Sequence, residues 1–249
     1  MIQIRNVRKA FGDKQVLRGL SLDAQDKETL VILGKSGCGK SVLLKTIIGL
    51  LKPESGSIHV DGSDVVTMSY PDLRRLRLKF GFLFQGAALF DSMTVGENIA
   101  LALRRRPEYK ETDIRDRIDY ALQIVGLENI AHLMPSSLSG GMKKRVGLAR
   151  ALVSSPRYVL YDEPTTGLDI MTGDEINLLI SELKAKIGVT SIVVTHDIHS
   201  AFLVGDRFAI MDEGVTLMTG TREELQNSPD EEVQKYISSS LSLSRRSMA

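Results

Sequence analysis

Gly34-Lys35-Ser36-Gly37-Cys38-Gly39-Lys40-Ser41 fits the phosphate-loop pattern G-x-x-x-x-G-K-[ST], and the residues on either side supply the context that pattern needs. Ahead of it, Thr29-Leu30-Val31-Ile32-Leu33 is a short apolar, partly β-branched run that reads as a buried strand. Behind it, residues 42–48 (Val-Leu-Leu-Lys-Thr-Ile-Ile) carry apolar side chains at helical spacing. The loop therefore joins a strand to a helix; the alternative is an ordinary Gly-rich turn, since an eight-residue pattern also arises by chance. Gly34, Gly37 and Gly39 let the backbone approach an anion closely, and the first helical turn adds N–H groups and the positive end of its dipole. In such a loop Lys40 reaches the β- and γ-phosphates and the Ser41 hydroxyl ligates Mg²⁺. Cys38 is a small filler at a variable position, because a single cysteine with no assigned base is weak evidence for covalent catalysis.

The bulk properties narrow the remaining classes. With 249 residues the chain can bury a substantial core, as one large domain or as a core with an inserted subdomain. Lys and Arg number 32 against 31 Asp and Glu, a near-balance that argues against a dedicated nucleic-acid binder. One cysteine forms no internal disulfide, in keeping with a reducing compartment. The start Met1-Ile2-Gln3-Ile4-Arg5 lacks the apolar core of a secretory signal, and no apolar run approaches the roughly 18 residues of a membrane-spanning helix. A soluble or peripheral cytoplasmic protein is expected.

In chain order, Ile2, Ile4 and Val7 open a strand, residues 16–22 form a second, and Phe11-Gly12-Asp13-Lys14 reads as the hairpin turn between them. Phe11 has two readings, a hydrophobic staple for the hairpin or an aromatic face stacked on a nucleotide base; taken alone, the residue favours the staple. Lys52-Pro53-Glu54-Ser55-Gly56 ends the first helix, and residues 57–62 read as strand then turn, with His59 structural. Arg74, Arg75, Arg77 and Lys79 lie on a short helix over 71–79, as a solvated face or, less favoured, a contact for anionic lipid headgroups. Residues 80–85 form an apolar strand ending in Gln85. Helical spacing recurs over 94–103 and 112–125, punctuated by Pro107 and Gly126, so the middle of the chain reads as an all-helical insertion with Arg104-Arg105-Arg106 in a solvated loop.

Ser136-Ser137-Leu138-Ser139-Gly140-Gly141-Met142 is a second Ser/Gly-rich turn before a helix over 143–153, and so either an anion site or simply a capped helix start. Tyr158-Val159-Leu160-Tyr161 is another buried strand, ending in Asp162-Glu163: one carboxylate for a metal and one for a water. Pro164 and Thr165-Thr166-Gly167-Leu168-Asp169 form a tight polar loop before a helix over 170–187. A strand over 190–195 ends at His196-Asp197, a hairpin surrounds Asp212-Glu213-Gly214, and helices follow over 222–226 and 231–237. Residues 238–249 are expected to be a mobile tail.

In combination these residues resemble the ATPase subunit of an ATP-binding-cassette transporter over nearly the whole chain. The matching features are the phosphate loop at 34–41, the glutamine loop at Gln85, the signature Leu138-Ser139-Gly140-Gly141-Met142, the acidic strand end Asp162-Glu163, the loop at Asp169 and the switch histidine His196. The separation of 138 − 34 = 104 residues between phosphate loop and signature leaves no room for the long coiled coils of DNA-repair relatives. The resemblance implies an α/β P-loop NTPase with a RecA-like core, an N-terminal antiparallel β-subdomain and an inserted α-helical subdomain at about 86–155, in one domain over 1–237. A finer likeness is to cassettes of MCE/Mla-type phospholipid transporters, in Gly39-Lys40-Ser41-Val42-Leu43-Leu44-Lys45, Ile48-Gly49-Leu50-Leu51-Lys52-Pro53, Phe82-Leu83-Phe84-Gln85-Gly86-Ala87-Ala88-Leu89-Phe90-Asp91 and Leu138-Ser139-Gly140-Gly141-Met142-Lys143-Lys144-Arg145. Three positions depart from the general cassette pattern. Phe11 stands where a stacking Tyr is common, Met142 replaces a Gln, and Val42 lacks the hydroxyl that often follows Ser41.

The resemblance implies roles as well. Lys40 and the loop N–H groups, with Ser36, Gly37, Cys38, Gly39 and Val42 in the cradle, hold the phosphates of ATP; Ser41, Gln85 and Asp162 organise Mg²⁺; Glu163 polarises the attacking water; His196 contacts the γ-phosphate. A second copy packs head to tail so that Ser139, Gly140 and Gly141 of one close over the ATP of the other, with Asp169 at that junction. Integral membrane permease subunits, an MCE-domain lipid-binding protein and the cytoplasmic face of the inner membrane complete the implied setting. Two other classes stay open: a soluble cassette acting as an assembly scaffold, as in iron–sulfur biogenesis, and a P-loop GTPase or kinase. The second lacks an Asn-Lys-x-Asp guanine-reading stretch.

Overall fold

The computed structural model describes residues 1–104, 106 and 109–246. Arg105 and Pro107, which the sequence assigns to a solvated run and a helix boundary, lie outside the described residues, as do 247–249 of the expected tail. In chain order the elements begin β1 (Ile2–Phe11), β2 (Lys14–Ala24), β3 (Thr29–Leu33), α1 (Lys40–Ile47), β4 (Ser55–Val60), β5 (Ser63–Asp64) and α2 (Tyr70–Arg77). Then come β6 (Phe80–Leu83), α3 (Val95–Ala100), α4 (Glu111–Ile124), α5 (Gly140–Leu152), β7 (Tyr158–Asp162) and α6 (Ile170–Ile187). The chain closes with β8 (Thr190–Thr195), α7 (Ile198–Val204), β9 (Arg207–Asp212), β10 (Val215–Gly220), α8 (Arg222–Gln226) and α9 (Glu231–Arg246). These fall into two compact units, Met1–Arg77 with Thr190–Ala249, and Leu78–Val189.

In the first unit, β3 runs parallel to β8 on one side, with Leu33 opposite Thr195, and parallel to β9 on the other, with Leu33 opposite Ile210. A strand flanked this way is buried on both faces, which is why its sequence is an unbroken apolar run rather than an alternation. Leu30, Val31, Ile32 and Leu33 are all fully buried, and cutting any of the larger ones back to Ala should cost about 2–5 kcal/mol. The antiparallel sheet β2-β1-β4-β5 follows the opposite rule. Ile2 and Ile4 point inward opposite Ala24 and Leu22, and the register breaks between Ile4 and Val7, where Asn6 takes φ 49°. Gly12 and Asp13 form the turn of the β1–β2 hairpin, as expected.

The second unit pairs β6 in parallel with β7, Leu83 opposite Tyr161, and its described elements between 86 and 155 are helical. Thr94 caps α3 through a capping box with Glu97, and Asp169 caps α6 by accepting from the Thr172 amide. Glycine at 188 in the left-handed region ends α6.

The larger differences from expectation concern three helices, while α2 and α3 end at Arg77 and Ala100 rather than at 79 and 103. Helix α5 starts at Gly140, so the signature glycines belong to the helix rather than to a preceding turn. Helix α7 was not foreseen, although Asp197 caps it and Ile198, Ala201 and Val204 line its buried side. The last helix continues past Ile237 to Arg246, through most of the stretch expected as a tail.

Candidate active site

The phosphate loop is shaped by what lies behind it. A Cβ on Gly34 would sit 2.5 Å from the Met211 carbonyl oxygen and 2.6 Å from Cys38 Sγ, so no larger residue fits. Gly39, the N-cap of α1, has φ 110° and would press a Cβ against Met211 Cε and the Val16 carbonyl at 3.0 Å. No side chain caps α1, and an N-terminus of this kind suits an anion. Lys40 is buried to 5 % exposure, and its Nζ donates to the carbonyls of Gly34 at 2.6 Å and Lys35 at 3.0 Å, which fixes the ammonium along the loop. Burial pushes the Cys38 thiol up from its usual range, with Lys40 opposing, in keeping with an inert filler.

Beside the loop opens a cavity of about 450 Å³ lined by Lys14, Val16, Arg18, Lys35, Cys38 and Asp212. Ser41 and Val42 are half-buried in the first turn of α1, while Ser36 and Gly37 are exposed. Phe11 is 49 % exposed, with Lys9 Nζ 5.3 Å from its ring centre, so about half of the residue stays open to a stacking partner. The Gly34 amide donates to the Thr195 carbonyl at 3.3 Å. That bond ties the loop to the end of β8, immediately before the exposed His196. Asp197 then caps α7 by accepting from the amides of His199 and Ser200, so His196 occupies a short link held at both ends.

In the second unit, Asp162 and Glu163 close β7 and are both buried, 5 % and 8 % exposed. Glu163 takes φ 49°, and its Oε2 accepts from the Thr166 hydroxyl at 3.1 Å, which orients the carboxylate. Lys144 of α5, 5 % exposed, donates to the Gln85 carbonyl and, at 3.2 Å, to the Glu163 carbonyl. Gln85 and Glu163, 78 positions apart in the chain (163 − 85), are thus bridged by one ammonium. Desolvation lowers the affinity of Lys144 for its proton, while the charges of Glu163 and Asp162 raise it.

The signature and the Asp169 loop meet in the same unit. Ser139 caps α5, its Oγ accepting from the Met142 amide at 3.2 Å, and both Ser139 and Gly140 are exposed. A Cβ on Gly141 would lie 2.6 Å from Thr172 Cγ2. Thr172 in turn donates its hydroxyl to Asp169 at 2.7 Å and its amide at 3.0 Å. These bonds hold the Asp169 carboxyl below the usual carboxylate range.

The residues of each unit suit a nucleotide with a divalent ion: Ser41 in the first, and Gln85 and Asp162 in the second, carry hard oxygen donors of the kind Mg²⁺ takes alongside phosphate. The role of Lys144 escaped the sequence reading, because Lys143-Lys144-Arg145 looks like surface charge until the contacts are known.

A buried parallel strand, a glycine loop and an uncapped helix bearing a buried lysine define a P-loop NTPase. The chain belongs to the ABC transporter family, whose model matches residues 17–166. It is an ATPase that binds ATP with Mg²⁺. It is 41 % identical over 236 residues, 95 % of the chain and 68 % of the relative, to the probable ribonucleotide transport ATP-binding protein mkl of Mycobacterium leprae. It is also 41 % identical over 228 residues, 92 % of the chain and 60 % of the relative, to the spermidine/putrescine import ATP-binding protein PotA of Thermotoga maritima. The chain therefore spans about two thirds of the length of such curated relatives. Among solved structures it resembles a cassette in a dimeric post-hydrolysis state bound to ADP and Pi, with TM-score 0.81, 34 % identity, and 89 % and 98 % coverage of the two chains. It also resembles CbiO1 of Clostridium perfringens, part of an ABC transporter complex, with TM-score 0.82, 33 % identity, and 91 % and 90 % coverage.

Proposed function

We propose that this ATPase is the nucleotide-binding subunit that powers an MCE/Mla-type phospholipid transporter, bound to permease subunits on the cytoplasmic face of the inner membrane. The observation that carries the lipid reading is the run Leu138-Ser139-Gly140-Gly141-Met142-Lys143-Lys144-Arg145, in which the subfamily likeness coincides with the buried contact of Lys144 to Gln85 and Glu163. Among the described residues no helix is long and apolar enough to cross a membrane. Relatives are named for cargoes as different as polyamines and sulfate, which supports recognition of cargo by other subunits.

In the mechanism, Lys40 and the N–H groups of residues 34–42 hold the phosphates of ATP. Ser41, Gln85 and Asp162 would hold Mg²⁺, directly or through water, and the ion would neutralise charge on the phosphates. Glu163, oriented by Thr166, accepts hydrogen from the attacking water, and His196 contacts the γ-phosphate. Phe11 offers its exposed face to the base. Two copies act head to tail, Ser139, Gly140 and Gly141 of each closing on the ATP of the other beside Asp169. A helical subdomain at about 86–155 inserted in one domain over 1–237 gives the permease its docking surface, and 238–249 is left outside the catalytic domain.

Purification of the tagged chain from membranes should recover an integral membrane permease and an MCE-domain protein, with phospholipid identified by mass spectrometry. A fully soluble complex without a membrane subunit would sink the transporter reading. Co-purification with a permease but a non-lipid cargo would sink only the phospholipid assignment.

A further inference from the structure

We propose that Lys144 and Arg150 of α5 are positioning residues for hydrolysis, a pair of cations that clamps the backbone around Gln85 and Glu163 in conformations it would not otherwise hold. The inference rests on the assignment of Gln85 and Glu163 to the hydrolytic site.

Immediately after Gln85 and Gly86, Ala87 and Ala88 adopt φ values of 60° and 48°, and Glu163 adopts 49°. Asn and Asp tolerate this region because a short polar side chain can bond locally; alanine cannot. Two consecutive left-handed alanines persist only where neighbours hold them. Arg150 supplies the hold: Nη1 donates to the Ala88 carbonyl at 2.6 Å and Nη2 to the Ala87 carbonyl. One turn or two earlier on the same helix, Lys144 grips the carbonyls of Gln85 and Glu163. Three of the four gripped residues are non-glycine residues at positive φ.

Between the cations, Gly147 brings the helix close; a Cβ there would stand 2.9 Å from Leu83 Cδ1 and 3.1 Å from Ala87 Cβ. Burying an ammonium to 5 % exposure is costly, and the two bonds that offset it go to main-chain carbonyls rather than to the Gln85 amide or the Glu163 carboxylate. A helix that begins with the signature Ser139 thus sets the backbone of both loops by direct bonds.

The experiment uses the full chain and measures kcat and KM for ATP with Mg²⁺, equilibrium binding of a fluorescent ATP analogue, and thermal unfolding. Lys144→Met should lower kcat at least about tenfold while KM, analogue binding and the unfolding midpoint change little, and Lys144→Gln, which can still donate to two carbonyls, should recover most of the loss. A kcat for Lys144→Met within about twofold of wild type, or a parallel loss of binding and stability, overturns the proposal. Should Lys144→Met not fold, Arg150→Met decides the question in two backgrounds. Its loss of kcat should be largely rescued by Ala87→Gly with Ala88→Gly, because glycine needs no holding at positive φ; an equal loss in both backgrounds overturns the clamp. Glu163→Gln is run alongside. Normal turnover in that variant faults the assignment of the site itself, whereas a dead Glu163→Gln with a normal Lys144→Met faults the clamp alone.

Discussion

The chain carries two glycine-rich helix starts, and they are finished in opposite ways. Helix α1 begins at a left-handed Gly39 with no side-chain cap, its lysine stitched to loop carbonyls. Helix α5 begins at Ser139, whose Oγ already caps the Met142 amide. The first terminus has no side-chain cap, the arrangement that suits an anion. The second already carries a side-chain cap, and its hydroxyl hydrogen remains available to donate outward, because capping uses only a lone pair of the oxygen. One loop is thus a primary phosphate holder and the other an accessory that closes on a phosphate held elsewhere. Hydrolysis by a dilute lone chain should accordingly be poor.

The comparison breaks most sharply at the phosphate side. Lys40→Ala should lower kcat/KM for ATP by about a hundredfold or more, read by steady-state phosphate release; a loss under tenfold would remove Lys40 from the mechanism. Glu163→Gln should lose turnover on a similar scale yet still bind ATP and accumulate as a dimer, seen as a shift to double mass by light scattering. Turning α1 into a capped terminus with Gly39→Ser should be nearly as damaging, since the new Cβ meets Met211 and Val16 and the position is left-handed. Full ATP binding by that variant would show that the uncapped terminus is not what holds the anion.

On the signature side the effects are smaller. Ser139→Ala removes the cap, at about 1 kcal/mol of stability, and should flatten the dependence of ATPase activity on protein concentration. Steepness equal to that of wild type would deny Ser139 a part in closure. Gly141→Ala drives a Cβ into Thr172 Cγ2 and should cost about 1–3 kcal/mol. Thr172→Ser deletes that methyl while keeping the hydroxyl bonded to Asp169, so the double variant should regain most of the unfolding midpoint; no recovery would deny the contact.

Acid should reveal the smallest effect. Asp169 has a depressed folded-state pKa, caused first by the Thr172 amide and then by its hydroxyl. Its contribution is therefore present above the ordinary Asp value of about 3.9 and is lost as pH falls through the lower folded value. The stability difference between wild type and Asp169→Asn should shrink below about pH 4. A difference that stays constant down to acid pH would mean the carboxylate charge is not what caps α6.

The parts of the site that sequence made legible are those written in consecutive residues. The strand–loop–helix at 29–48, the acidic end of β7 and the strand before His196 are each a local pattern whose period and punctuation mark them. What stayed hidden depends on three-dimensional neighbours. The start of α5 was set three residues late because Gly140 and Gly141 have turn propensity, and only the Ser139 cap and the close approach of Thr172 pull them into the helix. Helix α7 has seven residues directly after a strand, too few for its period to stand out. Phe11 is ambiguous because one aromatic residue at a turn can serve packing or stacking, and half exposure leaves room for both. Lys144 and Arg150 sit among other basic residues and look solvated; their targets are carbonyls far away in the chain, which no local pattern encodes.

The Met211 carbonyl, lying where a Gly34 side chain would have to begin, has a consequence for related chains. It makes residue 34 a gauge of a strand that belongs to another part of the sequence. A copy that keeps lysine and serine at the positions of Lys40 and Ser41 but carries any side chain at the position of Gly34 must have shifted its β9. Such a copy would keep the lysine–serine pair that touches the nucleotide and still be silent as an enzyme, so one position could sort working cassettes from decayed ones before any assay is run.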